Sequence, residues 1–327
     1  MISPEKVIIV SESNYFEILS KSIEKYFISK GFITEITNKI VSQKNSIVII
    51  INPIRQFSRR FSKTKNTLYC ALQTEQIYNP YDLGFNFFYR FNTRFSMKKI
   101  LNCFDIIYDF SINNAKYLSQ KFKKYRYFHY GHSDLMTRNT DVNEEYDLFF
   151  IGSINDRRKN ILDKLSQKYS IYPLSEELWG DNLYIAMRKC RICLNIHYDD
   201  AMTFESFRII EYFANERFVI SEYIQNSYPF IAGEDYIQFD QQNLEKIVDF
   251  YLKNPEARLK IAMNATLKSK DNSLDKSINK IYNELIFQYN DRQIAKKIKI
   301  FKFYLYRFYL YRLIIKVYIK IKRTTKS

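Results

Sequence analysis

"YDLFFIGSINDRRKN", residues 146–160, sets an apolar run of strand composition against Gly152. It then places Arg157, Arg158 and Lys159 where a helix begins, its apolar side being Ile161, Leu162 and Leu165. Strand, glycine turn and helix in that order are the unit of parallel α/β layers. The three cations oppose a helix dipole whose N-terminal end is already positive. A polyanion from outside, such as a diphosphate, would complete the arrangement. A solvated basic helix start is the plain alternative.

Working outward, the same alternation recurs on both sides. Upstream come apolar runs at 6–10 (KVIIV), 46–51 (SIVIII), 67–72 (TLYCAL) and 105–110 (DIIYDF), then a helical pattern at 113–122 and a strand at 125–130. A polar link, RNTDVNEE (138–145), precedes the restart at 146. Downstream, strands are expected at 169–174, 191–196 and 217–221. Helices are expected from 157, up to about 189, from 205, and twice across 241–270. The predicted fold class is α/β: two Rossmann-like domains, 1–137 and 138–292, followed by a basic tail, 293–327.

Composition agrees with two packed cores. The chain has 327 residues, 46% hydrophobic and 17% aromatic, more than one core usually serves. Its net charge of +16 is uneven: residues 293–327 hold eleven Lys or Arg and no acid, leaving 40 bases against 35 acids, or +5, elsewhere. Residues 36–74 also lack acids and carry Arg55, Arg59, Arg60, Lys63 and Lys65. Four scattered cysteines and no signal-peptide pattern predict a cytoplasmic protein.

Several chemistries find no motif. With six glycines there is neither a phosphate-binding P-loop nor a dinucleotide fingerprint. Cys190, Cys193 and His197 have zinc-like spacing but no second ligand pair, so ordinary buried thiols are expected. Asp199 and Asp200 read as a loop, and no metal is expected. No histidine has a serine or cysteine neighbour that makes a nucleophile pair.

The segment MTFESFRIIEYFANERFVISE (202–222) repeats Glu205, Arg208 and Glu211 every three residues on one helix face and Phe207, Ile210 and Ala214 on another. Alone, this is an amphipathic helix with exposed ion pairs. Its order after FIGS and DRR matters more. LFFIGSINDRRKNILDKL (148–165), RICLNIHYDDAMTFESFRIIEYFANERFVIS (191–221), YIQFDQQNLEKIVDFYLKNPEARLKIAMNA (236–265) and YFHYGHSDL (127–135) together resemble glycosyltransferases of the GT-B fold. They are similar to the "glycosyl transferases group 1" C-terminal domain and its short, spore-maturation-like relatives.

That resemblance implies two domains facing across a cleft. The C-terminal domain holds a nucleotide-sugar donor, the N-terminal domain a glycan or glycolipid acceptor, and transfer needs no metal or other cofactor. Gly152, Arg157, Arg158, Lys159 and Arg208 fall in its donor-binding segments, the cations neutralising the diphosphate. Glu211 matches the second glutamate of the family's Glu-x7-Glu pair, which binds ribose. Thr203 stands at the first, so Glu205 is the substitute for the catalytic-side carboxylate; retention of configuration is usual in this branch.

In the N-terminal half, Glu75 in LQTEQIYNP (72–80) ends a strand where it would orient or deprotonate an acceptor hydroxyl. His132, in YGHSDL, lies at the expected hinge within reach of either domain. Two rival classes are a GT-B scaffold that only binds, which Thr203 favours, and a basic nucleic-acid-binding protein. The second is disfavoured because the aromatics lie in core strands and the charge in one tail. That tail interleaves cations with Tyr, Phe, Leu and Ile, without an uncharged run longer than four residues. It therefore cannot span a bilayer, and it has the composition of a segment lying on an anionic leaflet. The expected location is the inner membrane face, as a peripheral protein.

Overall fold

A computed structural model describes residues 4–40, 43–53, 63–76, 103–120, 122–137, 142–174, 178–198 and 202–292. The first half builds a six-stranded parallel sheet from β1 (Lys6–Val10), β2 (Thr34–Thr37), β3 (Ser46–Ile51), β4 (Leu68–Gln73), β5 (Ile106–Asp109) and β6 (Tyr125–Tyr127). Their spatial order is β2-β1-β3-β4-β5-β6. The inner strands β3, β4 and β5 are buried at every residue, which is why they read as continuous apolar runs and not as alternations. Helices α1 (Glu17–Ser29) and α2 (Ile112–Ser119) flank this sheet, and Ser111 caps α2 by accepting from Asn114 N at 3.2 Å.

The second half repeats the plan with four parallel strands: β7 (Tyr146–Phe149), β8 (Cys190–Asn195), β9 (Val219–Glu222) and β10 (Ile237–Phe239), ordered β10-β9-β8-β7. Around it lie α3 (Asp156–Ser166), α4 (Gly180–Arg188), α5 (Ser206–Ala214), α6 (Leu244–Lys253) and α7 (Pro255–Asp271). Asn155 caps α3, its side chain accepting from Arg158 N at 2.9 Å. The expected fold of two Rossmann-like units is what forms.

Three sequence expectations are corrected. The apolar run 169–174 is not a strand. It touches β7 through one bridge, Leu148 with Ile171, because Ser170 is taken up by Asp147. Strands β2 and β10, short and only half-buried, were not anticipated. The boundary 138–292 also fails at its end, because a further helix, α8 (274–292 among the described residues), returns to the first sheet. Tyr282 of α8 sits among the rings of Tyr26, Phe27 and Phe32 at 5.5–6.0 Å. Glu284 accepts from Tyr108 Oη at 2.6 Å, and Arg292 reaches Asp105 at 3.0 Å. The chain can turn back there because Gly131 lies against the Asn272 carbonyl, where a β-carbon would come within 1.8 Å.

The two units are keyed together by Phe207 of α5. Its ring enters a cage of Tyr15, Phe16, Phe110 and Tyr130 from the first unit, with centroids 4.2–5.6 Å apart. Residues 293–327, the basic tail, lie outside the described residues. Among the described residues no helix is long and apolar enough to cross a membrane.

Candidate functional site

The C-terminal ends of both sheets face one cavity of about 1470 Å³. Open parallel sheets expose unpaired strand ends and loops at that edge, so ligands gather there. Strand β7 delivers Gly152, β8 delivers His197, and the loop before α5 delivers Glu205, with Arg208 one turn on.

Glu205, Arg208 and His197, with Arg158 of α3, form a tight ionic cluster. Glu205 stands at the N-cap of α5, yet its carboxylate caps nothing: it takes Arg208 Nη1 at 2.7 Å, His197 Nδ1 at 3.3 Å and Arg158 Nη2 at 3.7 Å. Burial would raise its pKa, but Arg208, then His197 and Arg158, hold it down at about 2. His197 is buried, and burial alone would lower its pKa. Glu205 and the Tyr223 carbonyl, which accepts from Nε2 at 2.9 Å, reverse that and raise it. A carbonyl and an ionised carboxylate both accept, so the two partners favour the doubly protonated ring.

Arg158 is almost fully buried. It donates to the Ile196 carbonyl at 2.7 and 3.1 Å and to Ser153 O at 2.8 Å, and its guanidinium lies over the rings of Phe150 and Tyr198. Burial, with Arg208 adding to it, lowers its pKa to about 10. Arg208 Nη1 also donates to Asn195 Oδ1 at 2.9 Å. Its Nη2 makes no hydrogen bond among the described residues and sits at Gly152, where an added β-carbon would meet it at 2.8 Å and Arg158 Nη1 at 3.1 Å. Gly152 has φ +136°, so backbone and cations together require glycine.

On the facing side, Glu75 follows β4. Asn52 Nδ2 donates to its carboxylate at 3.2 Å, and Asn114 Nδ2 to its carbonyl at 2.8 Å. Asn114 is positioned by Asp109, whose carboxyl burial pushes up to about 7. Asn52 Oδ1 and Thr74 Oγ1 are buried beside it without a partner among the described residues. Aromatic rings of Tyr15 and Trp179, 5.9 Å apart, come from opposite units to the same cavity.

The cavity therefore brings together Gly152, Arg158, Glu205, Arg208, Glu211 and Glu75 of the residues singled out by sequence, with Thr203 also in its wall. Three others lie elsewhere. Arg157 turns to Glu222, forming a two-pronged ion pair, and donates to the His197 carbonyl at 3.0 Å. Lys159 points to solvent and pairs with Asp163 one turn along α3. His132 lines a separate cavity of about 560 Å³. There its carbonyl accepts from Leu274 N, and its ring lies 3.4 Å from Thr137 Oγ1. Successive helix residues diverge by 100°, so three adjacent cations cannot all face one ligand.

His197 was read only for zinc spacing. Its place just past a buried strand was the signal for the cleft. Cys190 and Cys193 are buried in the core, and Asp199 and Asp200 lie outside the described residues.

Residues 156–280 match the profile of a family described as glycosyl transferase-like. An uncharacterized protein of Acanthamoeba polyphaga mimivirus is 34% identical over 116 residues, 34% of this chain and 16% of its own length. A second from the same virus is 26% identical over 220 residues, 63% of this chain and 24% of its own. The chain thus matches less than a quarter of the length of either relative.

Among solved structures, sucrose-phosphate synthase from Thermosynechococcus elongatus superposes with a TM-score of 0.60 at 10% identity, over 87% of this chain and all of that one. Anabaena HepE in complex with UDP-glucose gives 0.58 at 9%, over 86% and 99%. TarM gives 0.53 at 12%, over 80% and 57%. At these identities the likeness is one of fold. Profile and fold together bear out the resemblance: the chain has the fold of GT-B glycosyltransferases, and its residues 156–280 are glycosyl transferase-like.

Proposed function

We propose that the protein transfers a sugar from a nucleoside-diphosphate donor to a hydroxyl of a glycan or glycolipid. The observation that carries this is the cradle at the end of β7, where Gly152 leaves room for an anion beside Arg208 Nη2 and the Arg158 charge. In the reaction the C1–O bond to the diphosphate breaks and its electron pair leaves with the phosphate, while the acceptor oxygen bonds to C1. Arg208 and Arg158 stabilise the leaving charge, which makes a metal ion unnecessary in this reading. Glu211 accepts from the ribose hydroxyls. Glu75, with the orphaned oxygens of Asn52 and Thr74, orients the acceptor hydroxyl. Its proton passes to the departing phosphate oxygen on the same face, which retains configuration at C1.

The acceptor is taken to be a surface-polysaccharide or glycolipid precursor, met at the cytoplasmic face of an anionic membrane through residues 293–327. A second reading, a scaffold that binds donor without turnover, is favoured only by Thr203 at the place of the family's first glutamate.

Thermal-shift and calorimetric titration with UDP, GDP and ADP test binding. A ligand at about 100 times its dissociation constant should add about 2.7 kcal/mol to stability. Gly152→Ala, strained at its φ and clashing with both guanidiniums, should cost about tenfold or more in affinity. No stabilisation by any diphosphate, or wild-type affinity in Gly152→Ala, sinks the proposal. Release of nucleoside diphosphate from its sugar donor, persisting in EDTA, separates the metal-independent enzyme from the binding scaffold.

A further inference from the structure

The outward side of α7 carries an apolar strip. Leu259, Met263 and Leu267 are 59%, 58% and 61% exposed, whereas Ile261, Ala262, Ala265 and Ser269 are buried against the domain. A single exposed leucine needs no explanation, but an aligned set marks a surface built for contact. At 3.6 residues per turn, Glu256, Leu259, Met263, Leu267 and Lys270 all project within about 40° of Met263, and at 1.5 Å per residue the strip is about 21 Å long. The spacing runs three, four, four, three and is symmetric about Met263. Its ends carry opposite charges: Glu256 and Lys270 are both exposed, and neither forms an ion pair among the described residues.

A strip with this symmetry is complementary to itself when reversed. A two-fold axis through Met263 sets Leu259 against Leu267 of the partner subunit and Met263 against Met263 of the partner subunit. It also brings Glu256 to Lys270 of the partner subunit at both ends. We propose that the protein self-associates through α7 as an antiparallel, two-fold helix pair, with the apolar strip at its centre and an ion pair at each end. Parallel pairing would face like charges at each end, and an anionic lipid surface would receive Glu256 unfavourably, so the charge pattern selects a reversed copy of the same helix. One helix pair buries less than the roughly 1,200–2,000 Å² of stable interfaces, so the dimer is weak and concentration-dependent.

Sedimentation equilibrium of the full chain over a concentration series tests this. Wild-type protein should dimerise. Met263→Glu, which sets two carboxylates on the axis and keeps a good helix former, should raise the dissociation constant by about tenfold or more while leaving the melting temperature near wild type. Glu256→Lys and Lys270→Glu should each weaken the dimer, and the two together should restore it. Three results would overturn the proposal: a monomer up to about 1 mM, a dimer indifferent to Met263→Glu, or a double swap no tighter than either single change. If wild type stays monomeric and Met263→Glu abolishes co-sedimentation with anionic vesicles, the strip is a lipid-binding face instead.

Discussion

Arg157 and Arg158 are adjacent and chemically identical, yet they do different work. Arg158 is buried under the cavity with its donors on main-chain carbonyls, while Arg157 neutralises Glu222, itself nearly buried and also accepting from His197 N at 2.6 Å. Removing Arg157 therefore leaves a buried carboxylate unpaired. Arg157→Ala should lower stability by about 3 kcal/mol in denaturant unfolding, and less when combined with Glu222→Gln. Loss of nucleotide affinity without loss of stability would show that Arg157 faces the ligand after all.

Glu205 sets the acid limit of the same cluster. Its folded pKa of about 2 lies below the ordinary 4.5, so its contribution is complete above pH 4.5 and disappears as pH falls toward 2. The shift corresponds to about 3 kcal/mol. His197 acts in the opposite sense: its raised pKa stabilises below the ordinary 6.5, and that contribution is lost as pH rises past the folded value. Unfolding measured between pH 2 and 5 should show the steep acid loss in wild type and a flatter curve in Glu205→Gln.

At the scale of the element, α5 joins structure and chemistry. One side carries Glu205, Arg208 and Glu211 toward the cavity, and Phe207 between them locks into the rings of the first unit. These cavity side chains are thereby registered against the first unit through one aromatic ring. Phe207→Ala should cost about 3 kcal/mol and loosen the two halves relative to each other. Calorimetric unfolding should then split toward two transitions; a single transition at the wild-type temperature would remove Phe207 from this role.

For the whole molecule, α8 carries the chain back across the first sheet and brings Arg292 to Asp105, whose carboxyl burial would raise but Arg292 and Lys63 hold low. A chain ending at Arg292 retains that pair and every described wall of the cavity. It should bind nucleoside diphosphate as the full chain does while losing co-sedimentation with anionic vesicles. Equal vesicle binding by the two would refute membrane docking by residues 293–327.

The alternating buried strands, the paired Rossmann-like halves and the segments that carry Gly152, Arg158 and Glu205 were all legible in the sequence, because period, composition and motif order are local properties of the chain. The return of α8 was not, since no helix was expected after 270 and nothing local says which sheet the segment 274–292 covers. Nor could sequence divide Arg157 from Arg158, or give His197 its partners in the cleft. Those assignments depend on which carboxylate or carbonyl each side chain meets, and Glu222, Glu205 and Tyr223 reach them only when strands distant in sequence lie side by side. Periodicity determined the elements; long-range pairing of buried charges decided the site.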